Sequence, residues 1–415
     1  MQPIFVLTGL QIVSNHHNNK SKMNITFYSK ENARHALYLV AFFVLFSCNN
    51  QPSKQTETLV VENKKISIES ISIDTIALSP PAFSGNGYFR MKKDTIYFFD
   101  LIFLTVSAFD RQGDFLYRGL GKGSGPKEIA SFNNHGFMPN GNSFFLGTSY
   151  DLSYYTENWE RYDRVKFIDW SRSKNQYGSR DVDKIGTYSF EFVNSPYHNK
   201  WLPINSNNQA YLSLWISPSV NPTFNSINGN LSYYKNAHSI GLLDISTGKV
   251  LKVFGNKPNE YVTYAFIPIL EFMNYDLMND SLIVSHAIGD QISIYDTNQN
   301  LVSKFGVEGK DMNRDYPNIT SPEEHEKQWF NVYSNYGYYY SIFYSHQNQL
   351  IFRSYTKDID NGGLQIYDTN YQLIGDLSVP KRFNIIGFDG EYYYADGLLN
   401  EAEDKLAFFK FKLSY

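Results

Sequence analysis

Cysteine is nearly absent from this chain, and charged residues are also scarce. Cys48 is the only cysteine among 415 residues, so no two cysteines are available for a disulfide bond within one chain. Charged residues make up 19% of the sequence, and 37 basic against 41 acidic side chains give a net charge of −4. No basic stripe is visible, which argues against nucleic acid as a partner.

Local catalytic and metal-binding motifs are absent as well. The sequence contains no G-x-S-x-G phrase, and His325-Glu326 lacks the second histidine that an HExxH zinc motif requires. The glycine-rich stretch at residues 121–128 lacks the residue order of a phosphate-binding loop, so we interpret it as a turn between structural units. We therefore expect no resident metal and no cofactor, and no motif assigns a catalytic residue.

Aromatic residues, in contrast, are abundant. They account for 17% of the chain, with 33 Tyr and 32 Phe. Such side chains suit a pleated and half-buried surface, so the composition predicts β-sheet. The stretch at residues 105–120 consists of two alternating apolar runs around a polar turn, which is typical of a β-hairpin. The same pattern recurs along the chain and predicts an all-β repeat architecture.

The amino-terminal segment has the order of a bacterial signal peptide. Lys30 and Arg34 precede an apolar run at residues 36–46 that is too short to span a bilayer comfortably. The run ends in LFSC at residues 45–48, which resembles the lipobox whose cysteine receives lipid, although its phenylalanine is bulkier than usual. We therefore predict lipidation of Cys48. An uncleaved anchor or a buried strand is the alternative interpretation.

The predicted domain boundaries follow from this signal. The signal region covers residues 1–48, and residues 1–22 are a candidate misassigned start because Met23 could begin a complete signal peptide. Residues 49–65 are polar and aperiodic, which predicts a flexible tether. Residues 49–52 lack the acidic cluster associated with surface export. We therefore expect an outer-membrane lipoprotein of the cell envelope that faces the periplasm.

Residues 66–415 repeat a unit of strand, loop, strand, tight turn and strand. Six such triplets are each preceded by an apolar segment, which predicts six four-stranded blades of a β-propeller. The last unit lacks an outer strand, and the spare alternating segment at residues 66–78 would supply it and close the ring. A seven-bladed propeller is the alternative, because residues 168–210 and 307–345 are long enough to contain further strands.

The innermost strands of the blades are expected at residues 83–90, 132–138, 187–193, 265–272, 332–343 and 383–388. The longer insertions lie between the second and third strands of a blade, or between consecutive blades. Both kinds of connection emerge on the same face of a propeller. Binding usually resides in elaborated loops on a rigid scaffold, so we expect the functional site on this face.

Six residues near this predicted face are candidates for binding a polar ligand such as a sugar or a peptide. Together they would offer an aromatic ring, an imidazole, cations and carboxylates around one channel mouth. The candidates are Trp215, His286, Asp290, Arg353, Lys357 and Asp358. The alternative is a solvated rim in which Arg353 pairs with a nearby carboxylate.

A family resemblance supports this architecture. The hairpin at residues 109–113, the linker GKGSGPKE at residues 121–128, the lipobox and the tether together resemble a family of bacterial six-bladed β-propeller lipoproteins of unassigned function, with a TolB-like or NHL-like propeller. The linkers at residues 255–260 and 306–310 keep the glycine-rich phrase only in part. The resemblance covers roughly residues 66–415, and it implies a fold and a location in the cell envelope rather than a reaction.

The sequence favours a binding or protein-interaction module over an enzyme, because no catalytic constellation is visible. The alternative is a lactonase-like hydrolase or lyase, with a metal or a polar substrate at the channel mouth and with residues that converge only in the fold. The expected partners are the membrane, through the lipid, and either an envelope protein or a polar small molecule or glycan. We expect a monomer.

Overall fold

The computed structural model describes residues 67–79, 82–131, 133–169, 201–216, 231–263, 267–319, 321–358, 360–400 and 405–414, and short strands at residues 6–7, 10–14, 23–27 and 188–189. Cys48 and the predicted tether lie outside the described residues. Among the described residues, no helix is both long and apolar enough to cross a bilayer.

The chain divides into two units, Met1–Lys64 and Lys65–Tyr415. The first unit contains a small antiparallel sheet in the order β1-β2-β3, formed by β1 (Val6–Leu7), β2 (Leu10–Ser14) and β3 (Met23–Phe27). The second unit begins with β4 (Ser70–Leu78) and contains six sheets arranged in a ring. The second unit is therefore a six-bladed β-propeller, as predicted, and the seven-bladed alternative is wrong.

The first three blades follow one another along the chain. Blade 1 contains β5 (Gly87–Lys92), β6 (Thr95–Asp100), β7 (Thr105–Phe109) and β8 (Phe115–Gly119). Blade 2 contains β9 (Asn134–Phe137), β10 (Ser143–Leu146), β11 (Asp151–Tyr155) and β12 (Lys166–Phe167). Blade 3 is a three-stranded sheet of β14 (Gln209–Ser213), β16 (His238–Asp244) and β17 (Lys249–Asn256). A separate two-stranded sheet pairs β13 (Tyr188–Ser189) with β15 (Trp215–Ile216).

The remaining blades are regular and four-stranded. Blade 4 contains β18 (Met273–Met278), β19 (Ser281–His286), β20 (Ile292–Tyr295) and β21 (Leu301–Phe305). Blade 5 contains β22 (Tyr338–Ser345), β23 (Leu350–Thr356), β24 (Asn361–Tyr367) and β25 (Leu373–Pro380). Blade 6 contains β26 (Ile385–Phe388), β27 (Tyr393–Asn400) and β28 (Lys405–Ser414), with β4 as its outer strand.

The pairing of β4 with β28 joins the two ends of the propeller. The strands are antiparallel and stay in register from Leu78 opposite Leu406 to Ser70 opposite Ser414. Backbone hydrogen bonds therefore hold the first and last strands of the ring together. Apolar packing also joins blade 6 to blade 1, where Phe89 contacts Phe408 edge-on with 6.2 Å between the ring centroids.

Two kinds of turn repeat around the ring. The turn between the first and second strands has a left-handed residue in every blade: Lys93, Gly141, Asn208, Asn279, Gln349 and Gly390, with φ between 54° and 99°. In the turns between the third and fourth strands of blades 1, 4 and 5, an aspartate accepts hydrogen bonds from the backbone N–H groups two and four residues later: Asp110, Asp296 and Asp368. These turns explain why the hairpin pattern is visible in the sequence.

Three innermost strands lie later in the chain than predicted. Blade 4 begins at Met273 rather than at residue 265, and blade 5 begins at Tyr338 rather than at residue 332. In blade 3, the bridge between Ile204 and Ala210 puts the inner segment near residue 204 rather than at residues 187–193. A 3-10 turn (Pro268–Leu270) and the end of α3 (Pro322–Asn335) occupy part of the displaced sequence, and two further helices, α1 (Leu231–Asn236) and α2 (Glu260–Thr263), lie in other connections.

Helix α3 has the signals of a helix start that the strand prediction overlooked. The Ser321 side chain accepts a hydrogen bond from the backbone N–H of Glu324 at 3.2 Å, and Pro322 follows the cap directly. Glu323 and Glu324 place negative charge in the first turn, where the helix dipole favours it. The helix lies in the connection between blades 4 and 5.

Candidate functional site

The two faces of the propeller are covered by different kinds of connection. On one face, which we call the loop-rich face, the chain makes long connections, whose described parts include residues 120–131, 231–237, 257–263, 267–272, 306–319 and 321–337. On the opposite face, which we call the turn face, it makes the short turns between first and second strands, such as those at residues 93–94, 279–280 and 346–349. The six candidate ligand-binding residues were predicted for the loop-rich face.

Arg353 is fully buried and is held by atoms of blade 4. Its Nε donates to Ser285 Oγ at 2.7 Å, its Nη1 donates to the Asp290 carbonyl at 2.6 Å, and its Nη2 donates to the Gly289 carbonyl. The guanidinium also lies over the Tyr339 ring, with 3.2 Å between Cζ and the ring centroid. Arg353 therefore fixes the loop at residues 287–290, and it donates to two backbone carbonyls and a serine hydroxyl rather than to the carboxylate of the alternative interpretation.

His286 is 4% exposed and lies at the end of β19. Burial, together with the positive charges of Lys257, Lys304 and Arg353, lowers its pKa to about 3. The imidazole is therefore neutral at physiological pH. Its ring meets the Tyr261 ring edge-on at a centroid distance of 6.2 Å.

A buried ion pair lies close to His286. Lys257 Nζ is 2.5 Å from Glu271 Oε1, and both side chains are at most 2% exposed. The Tyr233 hydroxyl donates to the same carboxylate oxygen, and the ammonium lies 5.4 Å from the Tyr233 ring and 5.6 Å from the Tyr261 ring. The ammonium and the hydroxyl thus both contact Glu271 Oε1, whereas Glu271 Oε2 is buried without a hydrogen-bond partner among the described residues.

The other candidates also have internal partners. Asp290 Oδ1 lies 2.5 Å from Arg314 Nη1, and burial raises the pKa of Asp290 in spite of that cation. Lys357 Nζ donates to Ser378 Oγ at 3.1 Å. Asp358 accepts from the N–H of Asn361 at 2.9 Å in the turn after β23. The backbone of Trp215 lies in β15, and its side chain is outside the described residues.

The structure thus brings His286, Asp290 and Arg353 together around one loop. Lys357 and Asp358 follow at the end of the next blade's second strand. The described members of the set are occupied by intramolecular contacts and do not line a described cavity. Their role as ligand-binding residues stays a prediction.

A cavity of about 370 Å³ lies on the opposite side, where innermost strands of blades 1, 4, 5 and 6 end at the turn face. Because its wall comes from innermost strands, we call it the axial cavity. It is lined by Arg90, Met91, Lys93, Trp201, Asp276, Ile342, Phe343, Tyr344, Ser345, His346, Gln347, Ile386, Gly387 and Phe388. Lys93, His346 and Gln347 are exposed at its rim, so the cavity opens to solvent.

Arg90 is the most deeply buried charged group in this wall. It is 8% exposed, and its Cζ lies 5.4 Å from the centroid of the Trp201 ring. Burial lowers the pKa of Arg90, while the carboxylates of Asp276 and Asp396 and the Tyr88 hydroxyl act in the opposite direction. An arginine in such surroundings remains charged at neutral pH.

Asp276 provides the carboxylate of the cavity wall. Its Oδ2 accepts from the Tyr344 N–H at 2.9 Å, and its Oδ1 accepts from the Leu277 N–H at 2.9 Å. Burial raises the pKa of Asp276, although these hydrogen bonds and the Arg90 charge lower it. Backbone donors therefore fix the orientation of this carboxylate.

Asp396, on β27, is a second acid close to Arg90. Burial raises its pKa to about 7, against the lowering effects of Arg382, Arg90 and the N–H groups of Gly397 and Phe89. The acid therefore titrates near neutral pH.

The sequence contained weak signals for the axial cavity. Arg90 is a charged residue inside the predicted inner strand at residues 83–90, where a lone arginine is unusual. Asp276 and Trp201 lay in segments to which no strand was assigned, because the innermost strands of blades 3 and 4 were misplaced. The cavity could not be assembled from a sequence without knowing which strand ends meet on the axis.

The described residues contain no group of three or more His, Cys, Asp or Glu side chains arranged to hold a metal ion. The glycine-rich linker at residues 121–128 closes on itself, because Glu128 Oε2 accepts from the Gly125 N–H at 2.7 Å. A Cβ atom at Gly123 would lie 2.1 Å from the same oxygen. This linker is therefore a structural turn, as expected.

Neither a family model nor a curated protein sequence matches this chain. Among solved structures, a member of the DUF4221 family from Bacteroides vulgatus is similar, with a TM-score of 0.61, 13% identity, and coverage of 85% of this chain and 99% of that one. A candidate exported protein from Bacteroides fragilis has a TM-score of 0.50, 11% identity, and coverage of 83% and 96%. These similarities support the propeller fold alone.

A virginiamycin B lyase from Staphylococcus aureus is more distant, with a TM-score of 0.42 and 12% identity over 83% of this chain and all of that one. Overall similarity at that level carries no inference about activity.

Proposed function

We propose that this protein is a lipid-anchored binding module of the cell envelope that holds a small polar ligand in the axial cavity. The cavity is the observation that carries the proposal. It is concave and open at one end, and it combines aromatic walls with a few polar groups, which is the usual make-up of a small-molecule site. The candidate residues on the loop-rich face are less suited to hold a ligand, because those with described side chains are engaged in contacts within the protein.

The anchoring part of the proposal rests on the signal region and on Cys48 in its lipobox-like context. The similarity to a candidate exported protein agrees with export. A lipid on Cys48 followed by a polar tether would hold the propeller near the outer membrane, on the periplasmic side, as a monomer. An envelope protein is the other partner that this location would permit.

The anchor is tested by fractionating cells that produce the wild-type chain or the Cys48→Ser variant. We expect the wild type in the membrane fraction and the variant outside it, because one thiol carries the whole anchor. Treatment with detergent should release the wild type, and mass spectrometry should detect a lipid on the peptide that begins with Cys48. A variant that stays in the membrane fraction would contradict the anchor.

The binding site is tested by extracting the full-length protein from its own host and analysing the small molecules that denaturation releases. We expect a compound enriched with the wild type and lost with Gln347→Trp, which places a bulky ring at the cavity rim. Glu323→Trp is the matched control, because Glu323 is exposed on α3, on the loop-rich face. A compound retained equally by both variants would reject the axial cavity as the site.

A further inference from the structure

We infer that the ligand of the axial cavity is a small organic carboxylate with a single ring as its body. This inference rests on the proposed function, since it specifies the chemical class bound at the same site. It concerns the turn face, which the sequence did not mark as functional.

The first argument is the charge of the lining. Arg90 and Lys93 are cationic, and Asp276 is the single acid among the lining residues. Burial disfavours both charges of the wall, since it raises the pKa of Asp276 and lowers the pKa of Arg90, and Asp396 is a further acid near Arg90. Lys93 adds an exposed cation at the rim, so an anion that enters the cavity meets positive charge there first.

The second argument is the way in which Arg90 is presented. The guanidinium lies against the face of Trp201, and that aromatic contact limits its movement. An arginine fork matches the two oxygens of a carboxylate, and a rigid fork loses less conformational entropy on binding than a mobile lysine would. The carboxylate of the ligand is thus expected at the Arg90 end of the cavity.

The third argument is the size and polarity of the remaining wall. A volume of about 370 Å³ lies near the lower end of the range for small-molecule pockets, roughly 300–1,000 Å³. That space accepts one ring with its substituents. Phe343 and Phe388 provide partly exposed aromatic surface for the body of the ligand.

The inference is tested with two matched pairs of probes on the full-length protein, using isothermal titration calorimetry. Glucuronate is compared with glucose, and phenylacetate with 2-phenylethanol, so that each pair keeps its ring and changes only the carboxylate. We expect at least one carboxylate to bind about tenfold more tightly than its neutral partner. This preference should weaken as salt is added, because an exposed cation contributes to it.

Two variants connect the preference to the cavity. Lys93→Glu reverses a charge at the rim and should reduce the preference to less than about twofold, whereas Lys93→Arg should retain it. Lys327→Glu makes the same charge change on α3, at an exposed position away from the cavity, and should leave binding unaltered. Lys93 is an exposed turn residue, so the substitutions test binding rather than folding.

The outcomes separate this inference from the proposed function. Equal binding of neutral and acidic probes would reject the carboxylate class while leaving the axial cavity as a binding site. Failure of both carboxylates to bind would also reject the class, and the compound extracted from the host would decide the proposed function independently. A preference that Lys93→Glu and Lys327→Glu reduce equally would reject the cavity as its origin.

Discussion

Arg353 illustrates how a residue chosen for its chemistry can serve the fold instead. A guanidinium near a predicted channel mouth suggested ligand binding, but the side chain is completely buried and donates to three oxygen atoms of blade 4. Two of these acceptors are backbone carbonyls, which carry no charge and leave no trace in the sequence. The arginine therefore links blades 4 and 5 through the loop at residues 287–290.

The Arg353→Met variant should lower the free energy of unfolding by about 3 kcal/mol, because three buried acceptors lose their donor. Arg353→Lys should recover only part of this loss, since one ammonium cannot reproduce the geometry of the fork. Urea unfolding followed by circular dichroism measures both. Lys304→Met, an exposed change on blade 4, is the control and should alter stability by less than about 0.5 kcal/mol.

Asp396 couples the stability of the propeller to pH. Its pKa is raised to about 7 in the folded protein, so folding favours the protonated acid. The stability contribution of such a group is present in full below the unfolded pKa near 3.8 and is lost as the pH rises through about 7. At neutral and alkaline pH, the folded protein therefore contains a charged carboxylate that burial disfavours, and its stability is lower.

Asp396→Asn keeps the shape of the side chain and removes this titration. As the pH rises from 4 to 8, the stability of the variant relative to the wild type should increase by about 2 kcal/mol. This is less than the full pKa shift would give, because Asp396 is partly exposed. Denaturant titrations at both pH values measure this difference. A difference between variant and wild type that does not change with pH would show that Asp396 does not titrate in this range.

At the scale of the elements, the backbone conformation of the turns is more uniform than their amino-acid sequences. Every blade uses a left-handed residue between its first and second strands, yet only blades 2 and 6 use glycine there. Gln349 in blade 5 has φ of 56°, and Gly390 in blade 6 has φ of 99°. A side chain in this region of φ costs about 1 kcal/mol, and glycine avoids the cost.

Opposite substitutions at equivalent turns should therefore have opposite effects. Gln349→Gly should raise the free energy of unfolding by up to about 1 kcal/mol, and Gly390→Ala should lower it by a similar amount. A Cβ at Gly390 would meet only the Gln347 side chain, at 3.6 Å, so strain rather than collision is tested. Thermal unfolding of the two variants measures these changes in stability. Changes of the same sign would contradict the prediction.

The closing strand β4 allows a second test at this scale. Asp74 and Thr75 are adjacent, exposed residues opposite Lys410 and Phe409 in β28. In an antiparallel pair, only one of two adjacent N–H groups points to the partner strand. One of Asp74→Pro and Thr75→Pro should therefore cost about 3 kcal/mol, and the other should be tolerated as an edge proline. Equal effects in urea unfolding would argue against a stabilising role for the pairing.

For the propeller as a whole, closure by β4 makes the stability of all blades interdependent. An open stack of repeats can unfold from an end, whereas a closed ring has no free terminal blade. Two of the five tryptophans that contribute to the intrinsic fluorescence are Trp159, in the core between blades 1 and 2, and Trp201, in the axial cavity, so the signal should report changes near these parts of the ring.

Fluorescence and circular dichroism should therefore show coincident urea transitions in the wild type. The more damaging of the two proline variants should separate them, because it opens the ring at blade 6. Separate transitions already in the wild type would mean that the blades unfold independently. The control is the tolerated proline variant, which should keep the transitions together.

The sequence determined the repeat, the number of blades and the closing strand by itself. These features depend on local patterns: alternation of apolar residues, aspartate or glycine in tight turns, and a spare strand at one end. The hairpin pattern around residues 109–113 was readable because the Asp110 side chain organises its own turn. The innermost strands of blades 3, 4 and 5 were misplaced where long connections and helices interrupt the alternation, although the start of α3 at Ser321 was readable.

Only the tertiary structure decided which residues lie on the axis and which partner each buried charge takes. Arg90, Trp201 and Asp276 are far apart in the chain and meet because the ring closes. The partners of Arg353 are mostly carbonyl groups, which every residue possesses and no sequence pattern distinguishes. Local sequence specifies hydrogen bonds within turns and strands, whereas the convergence of strand ends depends on the curvature of the whole ring.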